Sequence, residues 1–201
     1  MRVLGAMAGV AVLVVAATVF ADPLKLGDKA PMTGAKMKNV DGRDLSIADV
    51  AGEKGTLVVF SCNHCPFVKA WEGRIAQIGN TYKGKAVGVI VINSNDPAEY
   101  AEDGFGEMQK RAKKLGFEFP YVVDATSDVA RAFGATRTPE AFLFDKESKL
   151  VYHGAIDDNK KGDDVEKHYL RDALDAVIAG KEVPIKETKF VGCSIKFRPK
   201  S

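Results

Sequence analysis

The sequence holds few of the residues from which sites are usually built: three cysteines, three histidines and one tryptophan in 201 residues. It also lacks an excess of charge of either sign. Twenty-nine Lys and Arg stand against 27 Asp and Glu, a formal net charge of +2. The two signs are interspersed, as at Lys54, Lys83, Lys110 and Lys149 among Glu53, Glu107 and Glu147. No basic stripe is left to neutralise a row of phosphates, so nucleic acid is not an expected partner. The short cluster Lys110, Arg111, Lys113 and Lys114 reads as the solvated face of a helix. Repeats and low-complexity linkers are absent, and nothing beyond Asp22 is long and apolar enough to cross a bilayer. Length and composition therefore suit one globular domain with a sizeable core.

The first residues are different in kind. Arg2 is followed by an apolar run from Val3 to Phe20, broken only by small residues, and Val19-Phe20-Ala21 precedes Asp22-Pro23. That is the pattern of a secretory signal peptide over residues 1–21, cleaved after Ala21. The other reading, an uncleaved anchor, also fits the length of the run. Either route exports the chain to the periplasm or beyond, and cleavage leaves no stable membrane association. No cysteine follows the run directly, which excludes a lipoprotein anchor.

The remaining residues, 22–201, form a core of about 27–179 and a tail over 180–201. An N-terminal hairpin is expected from Lys36–Val40 and Asp44–Ile47, closed by an Asp41-Gly42 turn. Thr56–Phe60 is a continuous β-favouring run, as in a strand buried on both faces. Phe67, Val68, Trp71, Ile75 and Ile78 then recur at helical spacing, which predicts a helix over about 66–82. A second buried strand spans Lys85–Asn93. Asp96-Pro97-Ala98-Glu99 offers an N-cap, a first-turn proline and a capping-box acid for a helix that Gly104 and Gly106 interrupt. Tyr121–Val123 reads as a strand and Ser127–Phe133 as a short helix. Ala141–Asp145 and Lys149–His153 read as two strands, and Val165–Ile178 as the last helix. The order predicts an α/β fold, a mixed central sheet flanked by helices, with the hairpin as an N-terminal extension.

The chemistry concentrates at Cys62-Asn63-His64-Cys65, between a buried strand and a helix. A pair of thiols at a helix N-terminus meets unpaired N–H groups and the positive end of the helix dipole, which favour thiolate over thiol. The expectation is a Cys62 nucleophile with a depressed pKa, a resolving Cys65 one turn on, and His64 adding positive charge when protonated. Two other readings remain open: half of a zinc site, for which only Cys193, His153 and His168 are left as ligands, and an inert disulfide.

Cys62-Asn63-His64-Cys65-Pro66 after one strand, and Phe133-Gly134-Ala135-Thr136-Arg137-Thr138-Pro139 before another, resemble the thioredoxin superfamily. The sequence Ala141-Phe142-Leu143-Phe144-Asp145 continues the likeness. More narrowly the chain is similar to the peroxiredoxin-like branch, grouped with alkyl hydroperoxide reductase and thiol-specific antioxidant (AhpC/TSA, redoxin) domains. Gly192-Cys193-Ser194-Ile195-Lys196 looks like the tail of that branch. The resemblance implies a thioredoxin-like fold in which Pro139 is a cis-proline facing the two sulfurs and holding substrate backbone like an added strand. It also implies that Thr138 touches substrate and tunes the redox poise.

The chain departs from these relatives at three points. Ser61 alone separates the strand run from Cys62. Thr56–Phe60 lacks the buried acid of ordinary thioredoxins, so proton handling falls to His64 or water. Val59 stands where true peroxiredoxins set a Thr or Ser, three residues before the peroxidatic cysteine.

The leading reading is an exported thiol–disulfide oxidoreductase acting on protein thiols and disulfides with a redox partner protein, and needing no cofactor. The alternatives are a thiol peroxidase and a copper carrier like the Sco family. Thiolate and imidazole suit copper, but Arg137-Thr138-Pro139 stands where that family places its histidine. Cys193 is either an accessory resolving thiol or a small buried hydrophobe. His153 and His168 read as surface or packing residues.

Overall fold

The computed structural model describes residues 23–200; the expected signal peptide over 1–21 lies outside them. In chain order the elements are β1 (Met37–Asn39), β2 (Asp44–Leu45), β3 (Gly55–Phe60), α1 (Pro66–Lys83), β4 (Val87–Asn93), α2 (Phe105–Leu115) and β5 (Tyr121–Val123). There follow α3 (Asp128–Phe133), β6 (Arg137–Thr138), β7 (Glu140–Asp145), β8 (Leu150–Gly154), α4 (Tyr169–Ile178) and β9 (Cys193–Ser194). A seven-stranded sheet runs β2-β1-β5-β4-β3-β7-β8, and β6 with β9 makes a separate two-stranded ribbon. β3 and β4, and β4 and β5, are parallel; β7, β8 and the β1–β2 hairpin run antiparallel to their neighbours. The sheet is therefore mixed, as expected. Gly42, at φ +91°, makes the hairpin turn.

β3 is apolar throughout because both of its faces are covered. Leu57 and Val59 pack with Trp71, Ile75 and Ile78 of α1, Met108 of α2 and Leu174 of α4. Val58 and Phe60 face the other way, onto Val129, Ala130 and Phe133 of α3. Phe60 meets Phe133 and Phe142 edge to face, with centroids 5.3 and 5.7 Å apart. Such pairs favour the ring quadrupoles beyond the area they bury. This two-sided packing fixes the C-terminal end of β3, and with it the position of Cys62 two residues on.

Two expected helix starts are displaced. Asp96 does not cap a helix that resumes after the glycines. Its carboxylate accepts the Ala98 N–H in a local turn, a 3₁₀ turn spans Ala101–Asp103, and α2 begins at Phe105 behind Gly104. The last helix begins at Tyr169 rather than Val165, because Gly162–Asp164 forms a 3₁₀ turn and His168 takes the N-cap position. Among the described residues no helix is long and apolar enough to cross a membrane.

Candidate active site

The N-cap of α1 is Cys65, followed by Pro66 at the first helical position, so Cys62 lies three residues before the N-cap. Proline suits that position because its missing N–H would have no partner there in any case. Cys65, rather than Cys62 as expected, therefore sits at the helix N-terminus. Both sulfurs are enclosed, Cys62 being 2% and Cys65 0% exposed, and Val68 packs with them.

The loop ahead of β7 closes over the pair, and the Thr138–Pro139 peptide bond is cis. Thr138 Oγ1 is 3.1 Å from Cys62 Sγ, and the Thr138 carbonyl oxygen is 3.3 Å from Cys65 Sγ. Glu140, 1% exposed, ties this loop down. Its carboxylate accepts the backbone N–H groups of Thr136 and Arg137 and lies 2.8 Å from His153 Nε2. His153 is thus a half-buried packing residue, stacked on Phe142.

The acid missing from β3 is supplied from elsewhere. Asp103, fully buried in the 3₁₀ turn before α2, accepts the backbone N–H groups of Asn63 and His64 at 2.6 and 3.1 Å. Its other oxygen lies 2.5 Å from His64 Nδ1 and accepts Asn95 Nδ2–H at 2.8 Å. The Tyr100 ring stacks on the His64 imidazole, centroids 3.8 Å apart. Asn63 continues the network, accepting the Tyr121 hydroxyl and donating to the Glu102 carbonyl. A carboxylate with four N–H partners fixes both the loop between the cysteines and the orientation of the imidazole. Sequence reasoning missed Asp103 because it sits 39 residues from His64, in a stretch read as helix. The signal available was the pair of glycines, Gly104 and Gly106, directly after it.

The two sulfurs share a proton unequally. The Cys65 thiol is lowered from its ordinary 9.0 to about 4, first by the hydrogen bond from Cys62, with Cys193 and the Val68 backbone N–H adding to it and burial opposing. Cys62 is pushed up, first by giving that hydrogen bond to Cys65, then by burial and the negative charge of Asp103. The directions are the reverse of the expectation, which gave the lowered pKa to Cys62: Cys65 is the lowered thiol of the pair and Cys62 the raised one.

Cys62 Sγ, a His64 ring nitrogen and an Asp103 oxygen lie within 4.8 Å of one another, a set able to hold a metal ion. Asp103 already has four hydrogen-bond partners, however, and a metal would have to displace some of them. Cys193, in β9, brings its sulfur to 2.7 Å from Cys65 Sγ.

The sequence model of the AhpC/TSA family matches residues 26–153. The thiol-disulfide oxidoreductase ResA of Halalkalibacterium halodurans is 23% identical over 57% of this chain and 61% of its own length, so the match spans less than two thirds of that relative. An uncharacterized conserved protein from Geobacillus kaustophilus has a similar crystal structure, 38% identical, covering 90% of this chain and 96% of that one at a TM-score of 0.83. The solution structure of a thioredoxin-like protein in the oxidized form is 20% identical. It covers 78% of this chain and 98% of its own, with a TM-score of 0.61. The fold is thioredoxin-like.

Proposed function

The chain belongs to the AhpC/TSA family, and on that premise we propose that it is an exported thiol–disulfide oxidoreductase whose working couple is Cys62 and Cys65. The observation that carries the reading is the pair itself: two buried sulfurs at the start of α1, Cys65 at its N-cap, both against the Thr138–Pro139 loop. Reduction of a substrate proceeds by attack of a thiolate on one substrate sulfur, giving a mixed disulfide. The second cysteine then displaces the substrate thiol and leaves Cys62 joined to Cys65. Thr138 and Pro139 line the approach. His64, oriented by Asp103, handles the proton that Cys62 gives up or takes back. Proteins with thiols or disulfides are the substrates, and a redox partner protein resets the couple.

A groove of about 380 Å³ adjoins Pro139, lined by Trp71, Ile156, Tyr169, Phe190 and Val191 among others. Asp157, Asp158, Lys160 and Lys189 also line it, so it offers a bed of mixed character for a substrate chain next to the cis-proline. Export rests on the N-terminal pattern of residues 1–21, which leaves 22–201 as the working domain. Peroxide reduction is the second reading, favoured by the family. Val59 gives it no hydroxyl three residues before Cys62, although Thr138 Oγ1 stands near that sulfur.

The test is disulfide reduction with insulin as substrate. Cys62→Ser and Cys65→Ser each reduce the rate to background, while both variants keep the wild-type circular dichroism spectrum. Full activity in either would contradict the assignment, and peroxide consumption with a dithiol donor would move the preference to the peroxidase.

A further inference from the structure

The tail after α4 returns to the site. Thr138 pairs with Cys193 and Arg137 with Ser194 in the β6–β9 ribbon. The Ile195 N–H is donated to the Thr136 carbonyl, and the Arg137 guanidinium donates to the Gly192 carbonyl. On the other side, the Lys196 N–H reaches Asn95 Oδ1 and the Asp96 N–H reaches the Lys196 carbonyl. Asn95 is the same residue that donates to Asp103. The tail is thus bonded both to the loop bearing Thr138 and to the network beneath Cys62.

Gly192 makes the approach possible: a Cβ there would fall 2.3 Å from the Thr138 carbonyl oxygen. The outcome is a third sulfur held 2.7 Å from Cys65, closer than two non-bonded sulfurs ordinarily come, and half-buried where the other two are enclosed. Cys193 is the thiol that solvent reaches. Its thiol is raised to about 11, by burial first and then by the neighbouring Cys65, so among the three sulfurs Cys65 is the better leaving group.

We propose that Cys193 is a third redox cysteine that relays electrons into the Cys62–Cys65 couple through a Cys65–Cys193 disulfide. The inference rests on the couple proposed above. Once Cys62 and Cys65 are joined, Cys193 loses its proton and attacks Cys65 Sγ. The Cys65–Cys193 bond forms, the Cys62–Cys65 bond breaks, and Cys62 leaves as a thiolate that takes up a proton. A thiolate of an external dithiol then attacks the half-exposed Cys193, and Cys65 departs as the stabilised thiolate. The donor's second thiol closes on the first and frees Cys193. Two electrons have passed from the donor to the protein, and the donor has become a disulfide. Cys193 is the most exposed of the three sulfurs, and the donor enters there.

Diamide oxidation followed by alkylation and non-reducing peptide mapping tests the relay. In Cys62→Ser the peptides carrying Cys65 and Cys193 are expected to be linked, with Cys62→Ala as the substitute should serine unfold the site. Free, alkylated Cys65 and Cys193 in that variant would overturn the proposal. In Cys193→Ser the Cys62–Cys65 disulfide still forms, and its failure to form would overturn the oxidoreductase reading instead. Dithiothreitol should reduce oxidised Cys193→Ser roughly tenfold or more slowly than oxidised wild type. Equal rates would show that electrons do not enter at Cys193.

Discussion

Cys65 differs from Cys62 by its position at the helix start and by its neighbours, Cys193 beside Cys65 and the charge of Asp103 near Cys62. Both are buried thiols beside Thr138, but Cys65 is the N-cap and its pKa is lowered, first by the hydrogen bond from Cys62, with Cys193 and the Val68 N–H adding to it. Its lowered pKa has a consequence for stability. Between about 4 and the ordinary 9.0 the reduced folded form binds fewer protons at Cys65 than the unfolded chain does. The contribution is complete above the unfolded value and is lost as pH falls through about 4, so stability rises with pH across that window. Oxidation removes the titrating thiol. Urea midpoints of the reduced protein should therefore climb relative to those of the oxidised protein between these pH limits, and a constant difference would contradict the assignment. His64 and Cys62–Cys65 were legible as a motif because the four residues are contiguous. Asp103 was not, because its partnership with His64 exists only after the chain has turned back on itself.

At the scale of elements, a strand and a helix place the cysteines and two loops enclose them. β3 and α1 were readable from their patterns. A continuous apolar run needs two covered faces, and the spacing of Val68, Trp71, Ile75 and Ile78 gives the helix a single buried stripe. The segment between β4 and α2 was read as helix because Asp96-Pro97-Ala98-Glu99 carries capping signals. Bonding of Asp96 to Lys196, and of Asp103 to the Asn63–His64 backbone, outweighed those local preferences. The β6–β9 ribbon had no periodic signal at all, each strand being two residues long. Its weak point is Gly192. Gly192→Ala places a methyl against the Thr138 carbonyl and should lift the tail from β6. Faster alkylation of Cys65 at unchanged overall helix content is the expected result; an unaltered rate would mean that the tail does not enclose the site.

At the scale of the described residues, 23–200, a mixed sheet has α1, α2 and α4 packed against one face and α3 against the other, and the candidate site lies where the parallel strand β3 meets α1. The fold class was legible because alternation of strand and helix leaves few arrangements that bury both sheet faces. The return of residues 192–198 across the site was not, since no local rule links residue 193 to residue 65. The proposed function requires a pair of sulfurs that can be joined and parted without disturbing the fold. The most direct measurement is an equilibrium titration of Cys193→Ser in graded glutathione buffers, with thiols trapped by acid and counted by mass spectrometry. A single two-electron transition joining Cys62 to Cys65 is predicted, with its midpoint in the range of about −270 to −120 mV. Two thiols that stay free across the whole series, or a bond that no buffer breaks, would contradict the account.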